Sequence, residues 1–146
     1  MRYWIGVASR EHVMNGVSGG FCQLGHGKKH ALEKMQTDDW IIYYSPRQTL
    51  APKSQTVQAF TAIGQILPQD MYLADMGDFK PWRRDVTFLE TVQDVPIRPL
   101  IEKLELIKDP KRWGYPFQFG HLEITNKDFA LIAAAFGFQP ALLTSS

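Results

Sequence analysis

Val57-Gln58-Ala59-Phe60-Thr61-Ala62-Ile63-Gly64-Gln65-Ile66-Leu67 decides the fold class. Gln58, Phe60, Ala62, Gly64 and Ile66 alternate with Val57, Ala59, Thr61 and Ile63, and both sets are largely apolar or small. The stretch therefore predicts a long strand covered on both faces. Gly64 within it predicts a bend or bulge where a barrel curves. Upstream, Trp40-Ile41-Ile42-Tyr43-Tyr44 is a second strand of high propensity, and the unpatterned, Pro-containing run from Ser45 to Gln55 predicts a surface loop.

Working outward, Tyr3 to Ala8 predicts an apolar first strand. Ser9 then caps a helix that Asn15-Gly16 and Gly19-Gly20 should end after little more than one turn. Phe21 to Lys29 is Gly-punctuated and too polar for core, and Leu32 with Met35 suggests a second short helix. On the other side, Met71 to Ala74 and Arg84 to Glu90 predict strands separated by an aromatic and basic loop, Gly77 to Arg83. Ile97, Leu100, Ile101 and Leu104 recur at helical intervals and predict two turns of helix. Leu122 to Ile124 is a candidate closing strand. Thr125 caps a last helix, with Asp128 as a capping-box variant, Phe129, Ile132, Ala133 and Phe136 as the buried stripe and Gly137 as the stop. The sum is an α+β chain, a curved sheet or barrel with short helices and a C-terminal helix.

Residues 1–146 fit one domain. With 16 Lys and Arg against 15 Asp and Glu, whole-surface attraction to nucleic acid is excluded, while a local basic patch is not. The lone Cys22 forms no internal disulfide and reads as a small buried thiol, no Cys/His spacing resembles a zinc site, and no cofactor motif is present. Neither a signal peptide nor a membrane span is visible, so a cytoplasmic, soluble protein without membrane contact is expected. Basic residues sit beside aromatic ones in Phe79-Lys80-Pro81-Trp82-Arg83-Arg84, in Lys111-Arg112-Trp113-Gly114-Tyr115 and in Tyr43-Tyr44-Ser45-Pro46-Arg47. Cations hold phosphates and aromatic faces stack on bases, so the pattern fits a nucleic-acid surface. It equally fits a small-molecule pocket or a structural role.

Read together, YWIGVASREHV, GGFCQLGHGKK, DDWIIYYSPR, QAFTAIGQI, FKPWRRDVTFLE, PIRPLIEKL, WGYPFQFGHLEI and DFALIAAAF, in that order from Tyr3 to about Phe138, resemble the small stand-alone EVE-domain proteins of the PUA-like superfamily. The resemblance implies a partly closed, PUA-like β-barrel. It also implies a non-catalytic module that takes a modified base, foremost a modified cytosine in DNA, with RNA as the other carrier, into an aromatic and polar pocket. Effector work would fall to a separate protein. On that resemblance the pocket candidates are Ser9, His12, Gln23, His26, Lys28, Tyr44 and Ser45, with Trp82 and Trp113 as stacking walls and Phe79 and Phe119 beside them. Tyr44 is preferred to Tyr43 because the two must face opposite sides and Tyr44 adjoins Ser45. Lys28, Arg83, Arg84 and Arg112 are candidate phosphate contacts, although adjacent arginines on a strand point apart. Trp40 is read as barrel core. Two other readings share the pocket: a sensor of a free nucleoside or another planar ligand, and a hydrolase like the ASCH-type relatives that act on modified cytidine, with His12 or His26, Lys28 and Glu11 as its acid–base groups.

Overall fold

A computed structural model describes residues 1–91 and 93–139. Its strands are β1 (Tyr3–Val7), β2 (Phe21–Cys22), β3 (Trp40–Arg47), β4 (Thr56–Ile66), β5 (Tyr72–Leu73), β6 (Trp82–Phe88), β7 (Val95–Pro96) and β8 (His121–Ile124). The helices are α1 (Arg10–Gly19), α2 (His30–Lys34) and α3 (Asn126–Phe136). The sheet runs β2-β6-β4-β3-β1-β8, with β5 on β6 and β7 on β4, and it curls into a half-barrel. Among the described strands only β1 and β3 pair in parallel, and α1, β2 and α2 carry the chain between them.

Alternation along the central strands builds two cores, one on each face. Trp40, Ile42 and Tyr44 of β3 join Tyr3, Ile5, Phe60 and Ile63 beneath α3. Ile41 and Tyr43 join Trp4, Ala62 and Ile66 beneath Val13, Cys22, Leu24 and Leu32. A strand that buries both faces must be apolar throughout, which is why the stretch around Phe60 reads as it does. Trp40 is core, and Cys22 is fully buried, its thiol pushed up to about 12 by that burial.

Four expectations are corrected. First, α1 runs ten residues, through Asn15 and Gly16, because Gly16 lets the helix lie against β2: a Cβ there would meet the Phe21 carbonyl oxygen at 2.6 Å. Second, the bulges fall between Tyr43 and Tyr44 and between Ser45 and Arg47, not at Gly64. Gly64 is instead where β6 crosses closely, its Cβ position 2.5 Å from Val86. Third, the two-turn helix over Ile97 to Leu104 is a single 3₁₀ turn, Arg98–Leu100, although Ile97, Leu100 and Leu104 are buried as a helical stripe would bury them. Fourth, Phe21 to Lys29 is not wholly outside the core, since Cys22, Gln23, Leu24 and Gly27 are buried.

The Thr125 cap forms as expected, accepting from the Asp128 N–H at 3.1 Å, and Gly137 ends α3 in the left-handed region. The carboxylate of Asp128 does not complete a capping box. It accepts instead from the backbone N–H groups of Glu105 and Leu106, both at 2.8 Å.

Candidate functional site

Where β1 ends, the chain turns at Ser9 into α1, and the Gly-rich segment after β2 passes close by. Between them lies a cleft of about 440 Å³ lined by Val7, Ser9, His12, Gln23, Leu24 and His26, with Leu50, Phe79 and Gly120 at its edge. Four of the proposed pocket residues, Ser9, His12, Gln23 and His26, therefore meet from positions up to seventeen apart. The helix start explains Ser9: its Oγ accepts from the His12 N–H at 3.4 Å, fixing the first turn.

Gln23 is the best-held member. Tyr43 Oη lies 3.3 Å from both its backbone N and its carbonyl O, accepting from the first and donating to the second. His12 Nε2 donates to the same carbonyl at 3.0 Å. Arg83 Nε donates to its side-chain Oε1 at 3.0 Å, with the guanidinium 3.9 Å over the Phe21 ring. Two consequences follow from donor chemistry alone. A guanidinium has only donors, so the amide oxygen of Gln23 faces Arg83 and the NH₂ end is left for a ligand. A carbonyl only accepts, so Nε2 of His12 carries the proton and Nδ1 of the neutral ring remains an acceptor.

Next to the cleft, sharing Gly25 and Gly120 with it, is a smaller cavity of about 250 Å³. Lys28, His30, Lys34, Phe119 and His121 line it. The His121 ring stacks on Trp4 at 4.7 Å between centroids and 8° between planes, and its buried Nε2 has no partner among the described residues. Burial, then the nearby Lys34 and His30, hold its pKa down to about 4. The unfolded chain thus binds a proton that the fold excludes between pH 6.5 and 4. Stability carried by neutral His121 is full above pH 6.5 and is lost as pH falls to about 4, by up to about 3 kcal/mol. His121→Phe, which keeps an aromatic ring on Trp4, is expected to unfold with a shallower acid dependence over that window in urea titrations. An unaltered slope would mean that the ring accepts its proton without cost.

The other proposed residues lie elsewhere, for identifiable reasons. Tyr44 faces the opposite core, stacked on Phe117 at 4.2 Å, and Tyr43 is the tyrosine on the cleft side. Ser45 is fully buried, its Oγ paired with Thr61 Oγ1 at 2.8 Å across the bulge. Trp82 packs against the second core with Lys29 Nζ 5.7 Å over its ring, and Trp113 packs against the first core, edge-on to Tyr44. Neither tryptophan lines the cleft, where Phe79 supplies the aromatic side chain. Arg84 is committed to backbone, donating to the carbonyl of Met35 at 2.7 Å and of Leu67 at 3.4 Å. Arg83 and Arg84 do point apart, but Arg83 holds Gln23 and does not stand free. Arg112 lines a separate apolar groove with Tyr115 and Phe119.

Leu24, Leu50 and the Arg83–Gln23 contact were not foreseen. A large apolar residue within the loop from Ser45 to Gln55 was the available signal for Leu50, which the structure leaves 83% exposed.

Comparison with known proteins matches a sequence model of the EVE domain to residues 2–135. A UPF0310 protein of Mycolicibacterium gilvum is 50% identical over 136 residues, 92% of this chain and 95% of that one. The UPF0310 protein YdcG of Bacillus subtilis is 43% identical over 136 residues, 92% of each chain. Among solved structures, the MmI1 YTH domain superposes with a TM-score of 0.54 at 10% identity, covering 99% of this chain and 100% of its own. Rpa0253 from Rhodopseudomonas palustris superposes with a TM-score of 0.57 at 13% identity over 94% of each chain. These last two bear on the fold alone. No described helix is long and apolar enough to cross a membrane.

Proposed function

The chain belongs to the EVE-domain family, and from that premise we propose that it is a non-catalytic module that binds a nucleic acid through one modified base, a modified cytosine in DNA being the chosen case. The observation that carries this reading is that hydrogen bonds hold two polar side chains of the cleft, Gln23 through Arg83 and His12 through the Gln23 carbonyl. The donor still to be used is therefore the Gln23 amide, and the acceptor still to be used is Nδ1 of a neutral His12. Cytosine carries a complementary pair, an exocyclic N–H and an adjacent ring nitrogen, on the edge a reader must recognise once the base leaves its stack. Phe79, Leu24 and Leu50 offer the apolar surface on which a base and its added alkyl group can pack.

A binding role is supported over hydrolysis by what lines the cleft. No carboxylate is among the lining residues, and His12 Nε2 is already given to a carbonyl. General acid–base chemistry needs two titratable groups within hydrogen-bond reach, and His26, the other titratable side chain of the cleft, makes no hydrogen bond to His12 among the described residues.

The test is fluorescence anisotropy of a labelled duplex carrying cytosine, 5-methylcytosine, 5-hydroxymethylcytosine or N4-methylcytosine at one position, at low and physiological salt. One modified base is expected to bind best at both salts. Gln23→Glu keeps a partner for Arg83 but puts a second acceptor where the NH₂ stood, so it is expected to weaken that binding by about 1–3 kcal/mol. Phe79→Ala is expected to cost about as much through lost stacking. Equal affinity of both folded variants and wild type for the preferred duplex would remove the cleft from base recognition.

A further inference from the structure

Three of the basic side chains around the smaller cavity are unneutralised. His30 and Lys34 stand one helical turn apart on α2, on one face of it, and Lys28 joins them from the Gly-rich segment. None of the three takes part in an ion pair among the described residues, and no carboxylate lines the cavity. Lys29, the next residue along, is turned away over Trp82. Like charges gathered without a counter-charge repel one another, and the neighbouring His121 ring, held neutral partly by Lys34 and His30, registers that field. The same ring leaves a buried Nε2 without a partner, a state that costs free energy in any folded protein. An anion in the cavity would supply the missing counter-charge.

The position of this cavity says which anion. Gly25 and Gly120 form part of both its wall and the wall of the cleft, and neither carries a side chain to fill the space between them. No Cβ built on either would come within 4 Å of another group, so neither glycine is packed against a neighbour where the two spaces adjoin. We propose that the smaller cavity is a phosphate subsite, formed by Lys28, His30, Lys34 and His121, which holds the phosphate of the nucleotide whose base enters the cleft. The recognised unit is then a nucleotide and not a free base or nucleoside. This deepens the base-binding reading and rests on it for the identity of the ligand, but not for the affinity of the cavity for phosphate.

Calorimetry with 5-methyl-2′-deoxycytidine, its 5′-monophosphate and a single-stranded pentanucleotide bearing 5-methylcytosine at its centre tests the proposal, alongside a titration of inorganic phosphate followed by the imidazole resonances of His121. Wild type is expected to bind the monophosphate about tenfold more tightly than the nucleoside. The double variant Lys28→Gln/Lys34→Gln, both at exposed side chains, is expected to bind the two alike. Tighter binding of the pentanucleotide than of the monophosphate would support the subsite with a polynucleotide backbone as the source of the phosphate. Equal binding would support it with a free nucleotide as the source. Should nucleoside and monophosphate bind equally to wild type, the subsite is overturned and the base reading stands. Should neither bind while inorganic phosphate shifts His121 in wild type but not in the double variant, the subsite stands and the base reading falls. No response of His121 to phosphate, together with no monophosphate preference, overturns the subsite outright.

Discussion

Asp128→Ala is expected to lower the unfolding free energy by about 3–5 kcal/mol, the largest single-residue loss of stability in this fold outside its aromatic cores. The side chain is fully buried, and its two oxygens accept from the backbone N–H groups of Glu105 and Leu106 at 2.8 Å each. Both are hydrogen bonds to a charged acceptor, each contributing about 1.5–3 kcal/mol, and alanine leaves both donors without a partner. Thr125 Oγ1, at the cap of α3, also donates to Glu105 Oε1 at 3.3 Å, but that contact is exposed and water can replace it. The Thr125 cap survives the substitution, because it uses the backbone N–H of residue 128 and not the carboxylate. Asp128→Asn retains one acceptor oxygen and turns a donor toward the other N–H, so it should fall between wild type and alanine. Equilibrium urea unfolding measures the loss, with a drop in Tm of roughly 10 °C or more as its thermal counterpart. A loss below about 1 kcal/mol for the alanine variant would mean that solvent reaches Glu105 and Leu106 and replaces the carboxylate.

That anchor also marks how far the sequence could be read. The Thr125-to-Gly137 frame of α3 was legible because caps and helical periodicity are local. The role of the Asp128 carboxylate was not, since its partners lie more than twenty residues away and carry no pattern. The same division runs through the sheet. β1, β3, β4 and β8 were legible from apolar runs and alternation, while the bulges in β4 were not, because register is set by the partner strand. It also explains the choice between the two tyrosines. Alternation places Tyr43 and Tyr44 on opposite faces, but both faces are buried, so nothing local says which of them looks toward the cleft. Ser9, His12, Gln23 and His26 came together because a strand end and a Gly-rich segment were matched to a family pattern. Arg83 was legible as a cation but not as the residue that orients Gln23, a contact spanning 60 residues. Gly16 and Gly64 read as breakers and serve as points of close approach, a distinction that depends on what packs against them.

Gly27→Val is expected to remove base binding while leaving a folded protein, and it is the sharpest mutational test of the cleft's construction. Gly27 sits at φ +83°, a conformation that costs an L-residue about 1–3 kcal/mol. Any Cβ placed there would stand 2.6 Å from the Cβ and 2.9 Å from the Cα of Pro81, and 3.0 Å from Cζ of Phe79. Pro81 is buried and ring-locked, so the clash is with backbone and cannot be relieved by rotating a side chain. The loop that carries Phe79 must move off the Gly-rich segment, or His26 and Gly27 must move the other way. Either motion separates cleft-lining groups, Phe79 from His26 and Gln23, that the wild-type backbone holds together. Both hydrophobic cores lie outside this contact, so the expected stability loss is about 2–4 kcal/mol and the cooperative transition is retained. Affinity should fall at least as far as in Phe79→Ala, because the aromatic wall and the polar wall are both displaced. Gly77→Ala provides the control. It too has a positive φ, +81°, but its Cβ position meets nothing within 4 Å and it lines neither the cleft nor the smaller cavity, so it carries backbone strain without steric conflict and should bind more nearly as wild type does. If Gly27→Val binds the preferred duplex as wild type does, the packing of Pro81 and Phe79 on the Gly-rich segment is not what forms the ligand site, and recognition must use another surface of the half-barrel.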